Sequence, residues 1–351
     1  MSERRLLVLG AGQRVKETIL PAVLALKGRW ALDGVFARSE KTIESRGVEY
    51  RTESFDDLDA ARLAGVDLVY LCVAKHAVPA VLRKLVGCDP RRVQLLIETP
   101  VLLFKQLGAY ELFGAFDSVF VSEDTSTLPW MTTLRDAEAA GLIGAPQTMV
   151  FDHSAWRYHG LAMTRTVLQC DTIVSAKRVG KEIDKGRVVL HMANGSVGEI
   201  VEPRDYSTGS WQLRCGADSS GKTQLVTDAA AGPPGSLQLI PMIHGSRCHG
   251  FRLGDVTTAL DERESELLGD VSAEATTTAL THRLKAVGLM TMLVDIHEGR
   301  AGYPLALGLD DMMVDYLLEK FGRWRRSPLT SLRSGAGRAL LPRLLKLASR
   351  S

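Results

Sequence analysis

Over the first hundred residues, short runs that are almost wholly apolar alternate with segments of helical period. Leu6 to Leu9 is such a run, closed by Gly10, and from about Val15 to Lys27 the residues Ile19, Ala22, Val23 and Leu26 share one side of a helix. Further apolar runs recur at Leu32 to Ala37, Asp67 to Val73 and Val93 to Ile97, separated by helical segments at Asp57 to Leu63 and Val78 to Val86. Strands without a polar face, alternating with helices, indicate a parallel sheet covered on both sides. A doubly wound, Rossmann-type α/β arrangement is the expectation.

Beyond Ala145 the pattern changes. Apolar and polar residues alternate through Gln147 to Phe151, Arg187 to Met192, Ser196 to Val201, Ser210 to Cys215, Lys222 to Thr227 and Gly235 to Ile240, with turn signals such as Asn194-Gly195 between them. Period-2 alternation predicts an open, mainly antiparallel sheet with one covered face, packed on helices at about Ala273 to His297 and Asp310 to Phe321 as an α+β domain. The expected division is 1–125 for the first domain, 126–322 for the second and 323–351 for a tail.

Composition supports two ordinary globular cores: 351 residues exceed the usual size of one core, and 45% are hydrophobic. No run of apolar residues is long enough to span a membrane, and MSERRLLVLG leads into a strand pattern without a cleavage site, so a cytoplasmic location is expected. Five scattered cysteines without a CxxC pair argue against a disulfide framework and a zinc site. His244 and His249 flank a glycine without an interleaved carboxylate, so no metal is expected there either.

The net charge of +2 conceals an asymmetry. Eight basic and no acidic residues fall between Arg323 and Ser351, which leaves −6 for the rest. Leucines alternate with cations in LLPRLLKL, a short amphipathic pattern suited to an anionic membrane surface or a partner's groove. Nucleic acid is not an expected partner, because only Trp324 accompanies these charges.

Candidate chemistry begins at Gly10-Ala11-Gly12-Gln13-Arg14-Val15, which has the first two glycines of GxGxxG and valine for the third. In that motif the first glycine permits the tight turn and the second lets backbone N–H groups approach a pyrophosphate at a helix N-terminus. Val15 should loosen the packing of helix on strand. The second strand ends Phe36-Ala37-Arg38-Ser39, without the carboxylate that would bind the ribose 2'-OH of NAD. Arg38 offers a planar cation to a 2'-phosphate and Ser39 a further hydrogen bond, which favours NADP, with NAD possible.

In order along the chain, the GAGQRV turn followed by Leu20-Pro21-Ala22, Arg38-Ser39, Ser54-Phe55-Asp56-Asp57-Leu58, DLVYLCV, IETP, Gly141-Leu142-Ile143-Gly144 and Ile296-His297-Glu298-Gly299-Arg300 resemble the glucose–fructose oxidoreductase, inositol dehydrogenase and rhizopine-catabolism family (Gfo/Idh/MocA). The resemblance implies a nicotinamide-dependent oxidoreductase acting on a sugar, nucleotide sugar or cyclitol, and a homodimer or homotetramer. It places the cofactor on Gly10, Gly12, Gln13, Arg14, Arg38, Ser39, Val73, Glu98 and Thr99.

Three departures fall on the substrate side. Where the family reads Glu-Lys-Pro this chain reads Glu98-Thr99-Pro100, and threonine does not titrate at neutral pH as the family's lysine does. Trp156-Arg157-Tyr158-His159-Gly160-Leu161-Ala162 resembles the family's H-x-x-D segment, with His159 matching and Ala162 in place of the aspartate. Ala74-Lys75-His76 replaces the common Pro-Asn. His159, Tyr158 and Lys75 are therefore the candidate proton-handling residues. A site without the family's lysine suits reduction of a carbonyl or imine. The alternatives are a tightly held nicotinamide serving lyase or glycosidase chemistry, and a nucleotide-binding protein without catalysis.

Overall fold

The computed structural model describes residues 2–152, 156–180, 186–201, 210–217 and 221–327. The chain forms two compact units.

The first unit, Met1–Glu123 joined by Leu289–Met312, is built on strands β1 (Arg4–Leu9), β2 (Trp30–Ala37), β3 (Lys41–Ser45), β4 (Val48–Ser54), β5 (Leu68–Leu71), β6 (Gln94–Glu98) and β7 (Ser118–Ser122). The sheet order is β7-β6-β5-β1-β2-β4-β3, with Tyr303–Pro304 added antiparallel beside β7. From β7 to β4 every pairing is parallel, and only β3 returns antiparallel on β4. Chain order therefore reverses between β1 and β5. Uniform burial explains the uniform sequence: Leu6, Leu7, Val8 and Leu9 of β1 and Leu68, Val69 and Tyr70 of β5 are fully buried. Helices α1 (Leu20–Ala25), α2 (Ala60–Leu63) and α3 (Val78–Gly87) connect the strands.

Val15, expected to loosen the helix on its strand, is fully buried, and the helix accommodates it by widening. Residues Val15–Ile19 form a π-helical turn whose carbonyl at Val15 accepts from the Leu20 N–H, and α1 continues from there.

The second unit, Asp124–Gly288 with Met313–Ser327, carries β8 (Pro146–Asp152), β9 (Ile173–Val179), β10 (Arg187–Met192), β11 (Val197–Val201), β12 (Trp211–Ala217), β13 (Thr223–Thr227), β14 (Leu237–His244), β15 (Arg247–Leu253) and β16 (Val256–Ala259). Their order is β16-β15-β14-β13-β12-β8-β11-β10-β9, and Arg323–Arg325 pairs antiparallel with β9 at the edge. Pairing is antiparallel except for β8 with β11 and β13 with β14, so the sheet is the mainly antiparallel one expected. Helices α4 (Pro129–Ala139), α5 (Arg157–Val167) and α6 (Glu262–Leu268) belong to this unit, and the long helices α7 (Thr277–His297) and α8 (Leu305–Phe321) each contribute residues to both units. Arg157, fully buried on α5, is bonded to Asp315 at 2.7 Å and Glu319 at 3.3 Å on α8, which ties those helices together.

The fold class expected from the sequence is the one observed. The amphipathic stretch of the tail, 340–347, lies outside the described residues. Among the described residues no helix is long and apolar enough to cross a membrane.

Candidate active site

The turn after β1 is shaped by close approach on one side and open space on the other. Gly10 has φ +130°, and a Cβ there would lie 1.8 Å from the carbonyl oxygen of Cys72, just beyond β5. Its N–H donates to the Phe36 carbonyl at 2.7 Å, so this glycine locks the ends of three adjacent strands together. A Cβ on Gly12 would meet nothing within 4 Å. The Gly12 carbonyl accepts from the N–H groups of Val15 and Lys16 at 3.1 and 3.3 Å, so the helix starts here and its first N–H groups have no intrahelical acceptor. Gln13, exposed, pairs with Glu17 along that helix.

Arg38 and Ser39 follow β2 and are exposed. The carboxylates nearest in sequence and in register are occupied: Glu40 pairs with Arg51 at 2.7 Å, and Glu53, opposite Phe36 on β4, with Arg62 at 3.0 Å. Arg38 is the partner of neither carboxylate.

At the carboxyl ends of β5 and β6 a polar cluster is set into apolar surroundings. Glu98 is buried, and its Oε1 accepts from the Tyr70 hydroxyl at 2.6 Å, from Arg14 Nε at 3.0 Å and from the Ser122 hydroxyl at 3.3 Å. Tyr70 and Ser122 also share a 2.5 Å hydrogen bond. Burial works against ionisation of Glu98, but Arg14, Lys75 and the Tyr70 hydroxyl outweigh it and hold the carboxyl below its ordinary range. Tyr70 is pushed well above its ordinary value by burial, reinforced by Glu98, so it stays a hydroxyl donor.

Lys75 opens the 3₁₀ turn Lys75–Ala77 after β5, and its Nζ donates to the Glu98 backbone carbonyl at 2.8 Å. Burial lowers its pKa, against the attraction of Glu98 and Cys72 and with the repulsion of Arg14. Both partners shift downward: at Lys75 burial outweighs the attraction of Glu98, and at Glu98 the charges of Arg14 and Lys75 outweigh burial. The Cys72 thiol is pushed up to about 12 by burial and by Glu98. Val73 and Thr99 are half-buried at the ends of the same two strands, and the Thr99–Pro100 bond is cis.

Tyr158 and His159 form a second group, in the second unit at the start of α5. His159 is buried and Tyr158 half-buried, their rings meeting edge to face at 4.5 Å. His159 Nε2 lies 3.2 Å from the Nζ of Lys285, a buried lysine of α7. Ala162 is fully buried on the same helix.

Sequence reasoning missed Tyr70, Ser122 and Lys285. A tyrosine inside the otherwise apolar DLVYLCV was the available signal, because a buried hydroxyl needs a partner. Lys285 gave none, since the helical period of α7 does not reveal that its one lysine is covered.

No protein-family model matches the sequence, and no curated protein matches it. Solved structures do match the fold. An oxidoreductase from Thermotoga maritima is 15% identical with a TM-score of 0.58, covering 92% of this chain and 98% of its own. The scyllo-inositol dehydrogenase from Lactobacillus casei with bound NAD(H) and scyllo-inositol is 11% identical with a TM-score of 0.58, covering 92% and 99%. An oxidoreductase from Agrobacterium radiobacter in complex with NAD+, L-tartaric acid and magnesium is 14% identical with a TM-score of 0.55, covering 91% and 95%. The family resemblance expected from the ordered motifs is thus matched in the architecture of both units. At such identities the likeness is one of fold.

Proposed function

We propose that the chain is a nicotinamide-dependent reductase of a carbonyl or imine in a small polar substrate of the sugar, nucleotide-sugar or cyclitol class. The observation that carries this reading is the reversal of strand order between β1 and β5, beside which sheets of this kind form their ligand crevice. There the open turn at Gly12 and the buried cluster around Glu98 occupy the carboxyl ends of adjacent parallel strands, where such sheets bind ligands. The residues present fit a dinucleotide. The bare Cα of Gly12 and the N–H groups of Gln13 and Arg14 would hold the pyrophosphate. Arg38 and Ser39 would hold a 2'-phosphate, and no unpaired carboxylate at the end of β2 would repel it, so NADP is preferred over NAD.

Val73, Glu98 and Thr99 stand at the ends of β5 and β6, where the nicotinamide would lie in this reading. Glu98, held ionised by Arg14 and Tyr70, fixes the turn and the strand end relative to each other. Proton handling falls to Lys75 in the first unit or to Tyr158 and His159 in the second. Residues 1–125 bind the dinucleotide in this reading, and residues 126–322 carry the substrate side and the contact of a cytoplasmic homodimer or homotetramer.

The test is turnover. The chain is incubated with NADPH and a panel of keto-cyclitols, ketoses and keto nucleotide sugars while the near-ultraviolet absorbance of reduced nicotinamide is followed. Loss of absorbance in step with product supports the reductase. Product without net loss favours non-redox chemistry, and binding without product a protein that does not catalyse.

A further inference from the structure

Lys75 is the part of the crevice that a pyrophosphate turn leaves unexplained. It follows β5, which neighbours β1 at the strand-order reversal, so its backbone lies at the carboxyl end where a ligand enters. Its placement is fixed at both ends. Nζ donates to the Glu98 carbonyl at 2.8 Å, while the main-chain carbonyls of Lys75 and His76 accept from the Gln106 side-chain amide at 3.0 and 3.3 Å. Holding a lysine side chain in one conformation costs up to about 2 kcal/mol of rotamer entropy, so the bond to Glu98 is not the behaviour of a cation left to solvent. The carbonyl it grips precedes Thr99, whose hydroxyl carries no proton it can release at neutral pH.

We infer that Lys75 donates the proton to the carbonyl oxygen, or imine nitrogen, of the substrate, serving from the end of β5 as Thr99 at the end of β6 cannot. This rests on the crevice being a nicotinamide site. The reduced cofactor, when bound, supplies the hydride. As hydride reaches the carbonyl carbon, the carbonyl π pair moves onto oxygen, the oxygen takes a proton from the Lys75 ammonium, and solvent recharges the neutral amine. The groups around Lys75 suit this work. Glu98 is kept charged by Arg14, by Lys75 itself and by the Tyr70 hydroxyl, so it does not compete for the lysine proton. Cys72 remains a neutral thiol. Burial makes the Lys75 ammonium a stronger acid than that of a solvated lysine.

Two measurements on the full-length chain test the assignment. In the first, acetylation of Lys75 by trace acetic anhydride is followed by mass spectrometry against pH, with the exposed Lys27 and Lys41 as internal standards. Lys75 should become reactive at lower pH than the standards, and saturating NADP+ should reduce its labelling at least about tenfold if it lies at the nicotinamide. In the second, Lys75→Met is assayed on the best-reduced member of the carbonyl panel. Its kcat should fall by about 100-fold or more, with NADPH affinity unchanged, and adding Thr99→Lys should recover part of the loss.

A Lys75 profile that overlays the standards, labelling that NADP+ does not affect, or undiminished kcat in Lys75→Met overturns the inference while leaving the cofactor reading in place. Failure of the wild-type chain to bind NADPH overturns both.

Discussion

Gly10 and Gly12 stand two residues apart in one turn, yet the same substitution should harm them in different ways. A methyl on Gly10 would sit 1.8 Å from the Cys72 carbonyl oxygen, at a φ of +130° that alanine rarely adopts. The backbone strain costs about 1–3 kcal/mol, and overpacking against a main-chain atom that cannot swing aside costs about 1–3 kcal/mol more. Parting the strands enough to relieve the clash would weaken the 2.7 Å bond from Gly10 to Phe36 and the 2.8 Å bond from Cys72 to Leu9. Gly10→Ala should therefore lose about 3–6 kcal/mol of stability.

A methyl on Gly12 would meet nothing within 4 Å. Its stability cost is that of alanine for glycine at a helix start, about 1 kcal/mol or less. The same methyl would hold a pyrophosphate off the backbone and should weaken NADPH binding about 10- to 100-fold, equivalent to about 1.4–2.7 kcal/mol. Urea unfolding followed by circular dichroism, beside fluorescence titration with NADPH, separates the two effects. The reasoning fails if Gly10→Ala unfolds within about 1 kcal/mol of the wild type, or if Gly12→Ala binds NADPH as tightly as the parent.

Arg38→Ala should abolish any preference for NADPH over NADH, and an unchanged ratio of the two dissociation constants would refute the role given to Arg38. Burial opposes the charge on Glu98, but Arg14 and Lys75 prevail and its pKa is lowered. It therefore contributes stability above the carboxyl pKa of the unfolded chain that is lost as pH falls through the lower folded value. Urea midpoints measured against pH should accordingly fall more steeply toward acid for wild type than for Glu98→Gln, and parallel curves would contradict this. Arg157→Leu removes a fully buried cation from Asp315 and Glu319, whose carboxylates are 27% and 47% exposed and can turn to water. The loss should lie at the lower end of that for a broken buried pair, about 3 kcal/mol, and a midpoint equal to wild type would show that the pairing holds nothing. His159→Ala and Tyr158→Phe should reduce kcat/KM for the carbonyl substrate at least about tenfold without changing NADPH affinity, and loss of cofactor binding in either would mark that residue as structural.

What could be read from the sequence follows the physics of burial. β1, β2, β5 and β6 announce themselves because both faces are covered, and Arg187 to Met192 is bounded as observed because its alternate residues are buried. The β3–β4 hairpin does not: its strands are largely exposed, and Lys41, Glu44, Glu49 and Arg51 leave no run to recognise. The same holds for β9, where only Ile173 and Ala176 are buried. The two glycines locate the turn, but the π-helical response to Val15 depends on space that only the packed sheet defines.

The cluster around Glu98 is assembled by pairing across strands. Tyr70 and Glu98 lie 28 positions apart and meet because Leu71 stands opposite Ile97. Lys75 was visible as a cation after a strand, but its hold on the Glu98 carbonyl was not. Lys285 reaches His159 across 126 positions, a distance over which periodicity carries no information.

The central claim is that the crevice beyond β1 and β5 holds a nicotinamide dinucleotide. Its most direct test is titration of the wild-type chain with NADPH, following the nicotinamide fluorescence, with Gly12→Ala run alongside. Saturable binding with a dissociation constant of about 1–100 μM, weakened in Gly12→Ala, is the expected result. Absence of saturable binding at millimolar NADPH and NADH, in a wild-type chain shown by circular dichroism to be folded, would contradict the account.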